Sequence, residues 1–538
     1  MIHPVGGIAS IAIQLYTRPS RMATEKTKRR NSRPQNEFGG NLGCFFWTFM
    51  IPVFIYYFYG VNVMHRGALA VPDKKFWHDL IWSLPEGINI QPTRYGWMLV
   101  VTWILLQLCL ECFLPISSLF GGQGIHKGVV LKSGRRLNYS MNGLVAYFLT
   151  HVIYFAVAYF TDWITPYVAW EHMGSFLTCA NITSFVFALW LYVDFGLMWR
   201  RHVNQPSFEE DWGVFSIWNF WNDFFMGVAR NPRIGHSWPL NKLLPYGPVD
   251  LKRWWDGRTL TLWILFNWSY LAAQYFGCTL NKTGDDSWEA SCLAEGEWNR
   301  IGATAWLISF THFYYILDYN WFEPAYLTTT DIRHDLFGYM LTYGMFGFLS
   351  TYYPISFNGF LSAQGVGNEI VDNYTYQSIG VVMVLLGLFL FRFTNIEKHR
   401  FRTRIWELKQ EYKKTSSKSL EKHIADGLAG FQIFPWDSKD KLKYLRTEEG
   451  SYLLCSGTWG WARHFNYCGD LVMCIGWAIA CYSPQNAFVW IPLSYCAYFW
   501  VMDLHRASRD HQRCHDKYKK DWDKYCEIVP YVVVPGVI

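Results

Sequence analysis

Charge is scarce in this chain. Only 17% of its 538 residues are Asp, Glu, Lys or Arg, and the net charge is +6. So small a balance argues against a nucleic-acid grip, which needs a dense basic face. The thirteen cysteines show no paired CxxC arrangement of the kind that holds zinc. Most lie in apolar segments, as Cys109, Cys112, Cys474 and Cys481 do, where a thiol behaves as a small hydrophobe. The first forty residues lack an apolar core followed by a cleavage site, so no secretory signal is expected there. No internal repeat is visible. Gly121-Gly122-Gln123-Gly124 is not a dinucleotide fingerprint, because no βαβ unit surrounds it.

What the chain has in abundance is apolar surface: 51% of its residues are hydrophobic and 19% aromatic. Apolar runs at about 43–61, 95–115, 142–160, 176–198, 258–276, 301–317, 337–355, 376–393, 466–483 and 487–503 predict an all-α polytopic membrane protein with about ten transmembrane helices. The basic arm from Arg18 to Arg33 reads as a disordered cytosolic tail covering residues 1–40. With that tail in the cytosol, alternation puts Arg200-Arg201, the 199–257 connection, the basic 394–455 loop and the C-terminus on the same side. The 277–300 loop then falls in the lumen, with Cys278 and Cys292 available for a disulfide and Asn281-Lys282-Thr283 as a sequon. Asn373-Tyr374-Thr375 falls there too. Within the long 394–465 connection, Thr415 to Glu421 reads as solvated.

Five blocks carry chemistry. Leu504-His505-Arg506-Ala507-Ser508-Arg509-Asp510, followed by Cys514 and Lys517-Tyr518, sets cations at the end of an apolar helix, with Arg506 and Asp510 four apart on one face. The residues allow two readings: a seat for a phosphate-bearing cofactor, or a plain basic anchor. His505, His511, Cys514 and His515 could be drawn as a metal site, but their density fits the polar end of an amphipathic helix. Trp221 to Gly235 combines Asp223, Gly227, an Asn-Pro break at Asn231-Pro232 and Arg233, either a structured re-entry element or a simple turn. Asp318 to Asp335 gathers acids, hydroxyls and a histidine behind an apolar run; it serves equally as helix capping or as a place where a buried acid or phenol donates a proton. Arg392, Asn395, Lys398 and Arg402 follow the eighth apolar segment, with Lys398 and Arg402 one turn apart and suited to phosphates. Ser456 to Asp470 supplies Trp459, Arg463, His464, Asn466 and Tyr467, a mixture able to stack a ring and hydrogen-bond an amide.

Together these blocks resemble the sterol reductase family: sterol Δ14-reductase, sterol Δ7-reductase, C-24(28) reductase and the membrane half of the lamin B receptor. Asp223 to Arg233 and His505 to Tyr518 are similar to its two signature patterns, and the likeness runs from Glu37-Phe38-Gly39-Gly40 to the end. The resemblance implies a transmembrane domain over 41–538, with 376–538 binding NADPH outside a Rossmann fold. It implies an endoplasmic reticulum enzyme that protonates a sterol double bond and then delivers hydride to it. Implied cofactor contacts are Arg392, Lys398, Arg402, Trp459, Asn466, Tyr467, Arg506, Asp510 and Tyr518. The implied proton donor is Tyr319 or Asp510, with Asp318 and Glu323 behind them. Implied partners are a sterol, membrane lipid and other sterol-biosynthetic enzymes, with no nucleic acid.

Leu131 to Leu137, Asn142-Gly143 and Glu323-Pro324-Ala325 are similar to Δ14-reductases, whereas Arg463-His464-Phe465-Asn466-Tyr467 resembles animal Δ7-reductases. Two departures stand out. Gly344-Met345 occupies a place where the family commonly has Gly-Asp, and Lys519 replaces a glycine after Lys517-Tyr518. The loss of an acid at Met345 keeps open a catalytically divergent sterol-binding or scaffold protein.

Overall fold

The computed structural model describes residues 37–537, apart from 117–121, 132–133, 210–211, 214–216, 238, 285–286, 366–372, 416–418 and 483–489. The basic arm therefore lies outside the described residues. The described chain is an all-α membrane protein with four small two-stranded ladders. It divides into two compact units between Ile370 and Val371.

In the first unit the main helices are α1 (Gly40–His65), α2 (Arg94–Phe113), α3 (Gly143–Phe160), α4 (Val168–Leu191), α5 (Leu251–Tyr275) and α6 (Ala303–Trp321). Local chemistry starts them where they start. The Thr93 hydroxyl accepts from the Gly96 N–H at 3.0 Å to cap α2, and the Asp250 carboxylate accepts from the Arg253 N–H at 3.1 Å to cap α5. Helix α5 is buried nearly all round, with α3, α4 and α6 packed on it, so it is the central post of this unit. The other helices turn Phe45, Leu105, Val152, Val186 and Phe310 outward, an apolar coat that suits lipid.

Helices α1, α2, α3 and α4, together with α7 of the second unit, are long and apolar enough to cross a membrane. The segment expected as one helix over 337–355 is instead a path of alternating α and π turns from Tyr339–Tyr343 to Phe360–Gly365. Met345 sits in the first π turn, Gly344–Leu349. π turns widen a helix locally and are frequent at functional sites. On the hairpin of β1 (Thr279–Thr283) and β2 (Ser287–Ser291), Cys278 and Cys292 form the expected disulfide.

The second unit is built on α7 (Tyr374–Thr415), α8 (Phe465–Ala480), α9 (Trp490–Tyr518) and α10 (Lys520–Ile528). Helix α7 has 42 residues. At 1.5 Å per residue that is about 63 Å, roughly twice a hydrocarbon core. The apolar run ends near Phe393, but the helix does not. Its distal half places Phe401, Ile405 and Leu408 on one face, where they pack with Ile424, Leu428, Phe434 and Leu454 into a separate core. Much of the expected 394–465 loop is thus folded.

Two glycine pairs bring α7 and α8 into backbone contact. A Cβ at Gly387 would lie 2.6 Å from the Gly469 carbonyl oxygen, and one at Gly380 2.6 Å from that of Gly476. The spacing of seven on both helices makes a smooth seam on which nothing larger than hydrogen fits.

Candidate cofactor and acid sites

The α7–α8 seam positions the basic residues of the second unit. Directly beyond it the Lys398 ammonium lies 3.6 Å from the centroid of the Trp459 ring. Trp459 is 4% exposed and donates its indole N–H to the Thr394 carbonyl at 2.8 Å, so the ring is fixed to the same helix that carries Lys398. One turn on, Arg402 is exposed. Glu397 anchors the facing turn by accepting from the Thr458 N–H at 2.9 Å and from its hydroxyl. The C-terminal tail straps the other edge. The N–H groups of Arg463 and His464 donate to the carbonyls of Tyr531 and Val532 at 3.0 and 2.8 Å, and the Arg463 guanidinium donates to Val529.

His464 stacks on Tyr467 with centroids 5.1 Å apart, and its Nε2 is 3.6 Å from Asp510 Oδ2. Burial pushes the imidazole down to about 4, helped by the cations Lys398 and Arg463 and by His511, against an upward pull from Asp510. At neutral pH this contact is therefore between a neutral ring and a carboxylate, not an ion pair. Asp510 itself is half-exposed on α9. Below Arg506, Asp503 and Asp470 are buried, and Asp470 lies in the field of Asp503, Arg506 and Arg392. The Asn466 amide oxygen is buried with no hydrogen-bond partner. Farther along α9, Tyr518 accepts from Lys517 at 3.0 Å and stacks on Trp522.

The acids of the first unit are arranged differently. Arg253 spans Glu111 and Glu323, and Arg258 donates to the second oxygen of Glu111 at 2.7 Å and to Asn142. The remaining oxygen of Glu323 accepts from the Gly143 N–H at 2.8 Å. All four charged groups are at most 5% exposed. Such a closed network fixes geometry and leaves Glu323 no spare oxygen. Asp318 and Tyr319 sit half-buried in the last turn of α6. The Tyr319 ring meets Tyr326 edge-on at 5.5 Å. The Tyr326 hydroxyl donates to Asp256 on α5.

The structure brings Lys398, Trp459, His464, Asn466, Tyr467 and Asp510 to one end of the second unit, and Asp318, Tyr319 and Glu323 to one end of α6. Within Asp223 to Arg233, two residues are packed into the first unit. Arg233 pairs with Asp250 at 3.3 Å and covers the Tyr139 ring, while Gly227, at φ 104°, packs so close to Phe337 and Gly338 that a Cβ would overlap their backbone. Sequence reasoning missed Glu111, Lys252, Arg253, Asp256 and Arg258. The available signal was a lone acid inside the 95–115 apolar run and five charges packed into 250–258 just ahead of another.

A family model described as the Ergosterol biosynthesis ERG4/ERG24 family matches residues 32–285 and 290–538. The chain belongs to this family. It is 29% identical over 511 residues to a Delta(14)-sterol reductase of Dictyostelium discoideum, covering 94% of this chain and 92% of that one. It is 30% identical over 495 residues to a Delta(14)-sterol reductase of Methylotuvimicrobium alcaliphilum, at 90% and 92% coverage. It is also similar to a 7-dehydrocholesterol reductase of Xenopus laevis, 28% identical over 499 residues and 90% of both chains. Family membership thus extends over both units.

Proposed function

We propose that this ERG4/ERG24-family chain is an oxidoreductase that uses NADPH to saturate a carbon–carbon double bond of a sterol intermediate, the Δ14 bond first. The observation that carries the cofactor half of this reading is the Lys398–Trp459 pair at 3.6 Å, with Arg402 one turn farther on the same helix. A cation fixed on an indole beside a second cation suits a dinucleotide carrying an extra phosphate. The orphaned Asn466 amide oxygen fits the same group, because it can accept from a carboxamide N–H. Lys398, Arg402, Arg392 and Arg506 would bind phosphates, Trp459 and Tyr467 would give ring contacts, and Asn466, Asp510 and Tyr518 would hold amide and hydroxyl groups. When bound, NADPH supplies hydride.

An isolated alkene is too electron-rich to accept hydride directly, so an acid of the chain must protonate it first. Tyr319 is the donor that best suits this step. It is half-buried, and its hydroxyl faces the bare position at Gly257. Asp318 is next in line. Glu323 is held by Arg253 and Gly143 and acts through position. Asp510 is a second candidate donor on the other unit. The enzyme resides in the endoplasmic reticulum membrane with both termini cytosolic, where it meets sterol, lipid and neighbouring sterol-biosynthetic enzymes.

Reduction of the Δ7 bond is the second reading, favoured by the Xenopus relative and by Arg463-His464-Phe465-Asn466-Tyr467. Microsomes expressing the chain, given NADPH and a mixture of Δ14-, Δ7- and Δ24(28)-unsaturated sterols, should consume the Δ14 sterol alone by mass spectrometry. Consumption of the Δ7 sterol instead supports the second reading. Binding of NADPH with no product marks a divergent pocket around Met345, and neither binding nor product overturns the assignment.

A further inference from the structure

Asp256 is 1% exposed on the central helix α5, and only half of its hydrogen-bonding capacity is used. Oδ2 accepts from the Tyr326 hydroxyl, whereas Oδ1 is buried with no hydrogen-bond partner. Leaving a buried carboxyl oxygen unmatched is costly, so a fold that keeps one calls for an explanation. Lys252, one turn away, does not supply the missing bond. Its ammonium donates to the carbonyls of Asp331, Ile332 and Asp335 at 2.6, 3.2 and 2.7 Å.

The neighbourhood points to Tyr319. Apart from α5 itself, a Cβ at Gly257, the next residue, would have a single atom within 4 Å: the Tyr319 hydroxyl, at 4.0 Å. Helix α5 is therefore bare where that hydroxyl faces it. Among charged groups, Asp256 acts most strongly on Tyr319, and the Tyr319 and Tyr326 rings are in edge contact. Other ionisable groups around Asp256 include Asp250 and Lys252 from the start of α5 and Asp331 from the short helix Thr330–Arg333, with Asp335 beside Lys252 and with Glu323 and Arg253 beside Tyr319.

From this geometry we infer that Asp256, held by Tyr326 through Oδ2, returns the proton that Tyr319 gives to the sterol. The inference rests on the reading of Tyr319 as donor. In the reductive step the Tyr319 O–H bond breaks as a C–H bond forms at the alkene carbon. The phenolate oxygen then takes the proton from Asp256 Oδ1, and Asp256 regains one from water. No electrons move in the relay; the reduction is completed by the hydride of NADPH. Asp256 is a positioning and proton-supplying residue that does not touch the sterol.

Full-length protein purified in detergent would be assayed with NADPH and whichever unsaturated sterol it consumes, in H2O and D2O, across pH. Asp256→Asn should lower kcat about ten-fold or more, raise the solvent isotope effect and move the pH profile of kcat, with KM and NADPH affinity unchanged. Asp256→Glu should restore part of the rate and the original profile. Tyr326→Phe, which keeps the acid but frees Oδ2, should give an intermediate loss, and it decides the matter if Asp256→Asn fails to fold. Tyr319→Phe separates the two ideas. Full activity in Tyr319→Phe removes the donor assignment and the relay with it. An inactive Tyr319→Phe beside wild-type kcat, isotope effect and pH profile in Asp256→Asn and Tyr326→Phe overturns the relay alone.

Discussion

Two charged clusters in this protein look alike in sequence and differ in kind. Around Arg253 in the first unit, two guanidinium groups and two carboxylates are sealed from solvent, and each carboxylate has both oxygens matched. Around Lys398 in the second unit, one cation stands on an aromatic ring at a polar end, with Arg402 exposed and Asp510 half-exposed. A closed network holds helices in place, since any ligand would have to break it. An open cluster fixed by its backing residues can accept an anion without disturbing the fold. The difference predicts which substitutions damage the protein and which damage only its function.

The sharpest break of this contrast is Arg253→Met. It leaves Glu111 without one counter-charge and Glu323 with none, inside the protein, and should cost about 3–5 kcal/mol. Thermal unfolding in detergent should show a fall large enough to lose most folded protein, and activity should vanish with the fold. An unchanged melting curve would mean that the cluster is solvated. Lys398→Ala should do the opposite. Its melting curve should stay within about 0.5 kcal/mol of wild type, while NADPH affinity falls about ten-fold or more. Affinity for NADH should fall less, and equal losses for both would remove the phosphate role of Lys398.

Gly469→Ala lies between these extremes. Its Cβ would stand 2.6 Å from the Phe391 backbone nitrogen, closer than Cβ atoms pack, so the backbones of α7 and α8 must move apart. Overpacking of this kind costs about 1–3 kcal/mol. It should also weaken NADPH binding, because Lys398 and Asn466 are carried by the two helices that the seam joins. Full affinity in a destabilised Gly469→Ala would show that the seam supports the fold without shaping the site.

Helices with unbroken apolar runs were legible from sequence because length and hydropathy are local properties. So was the disulfide, since both cysteines lie in one short connection. The cofactor cluster was legible in part. Lys398 and Arg402 share a helix face by spacing alone, but nothing in the order of residues says that the Trp459 indole bonds back to Thr394. The extension of α7 to Thr415 was hidden because polar residues take over where the apolar run stops, while a helix needs only backbone bonds and a packed face. The π turns over Gly344–Leu349 and Ile355–Gly359 were hidden for a related reason: their register shift leaves no mark in an apolar sequence. Arg253, Glu111 and Glu323 come from three helical segments and become a network only once α2 and α5 pack.

The smallest predicted effect concerns His464, which belongs to the open cluster yet is itself only 8% exposed. Its imidazole is pushed down to about 4 in the folded protein, against about 6.5 in an unfolded chain. Between those values the unfolded state binds a proton that the folded state refuses. The stability contributed by a neutral His464 is thus fully present above about pH 6.5 and is lost as pH falls towards 4. Melting of the wild type should drop across that window by about 1–3 kcal/mol more than melting of His464→Phe, which cannot titrate. Parallel curves would mean that the ring titrates alike in the folded and unfolded chain and is not held neutral by burial. A closed and neutral histidine would then no longer mark the line where the open cluster meets the interior of its unit.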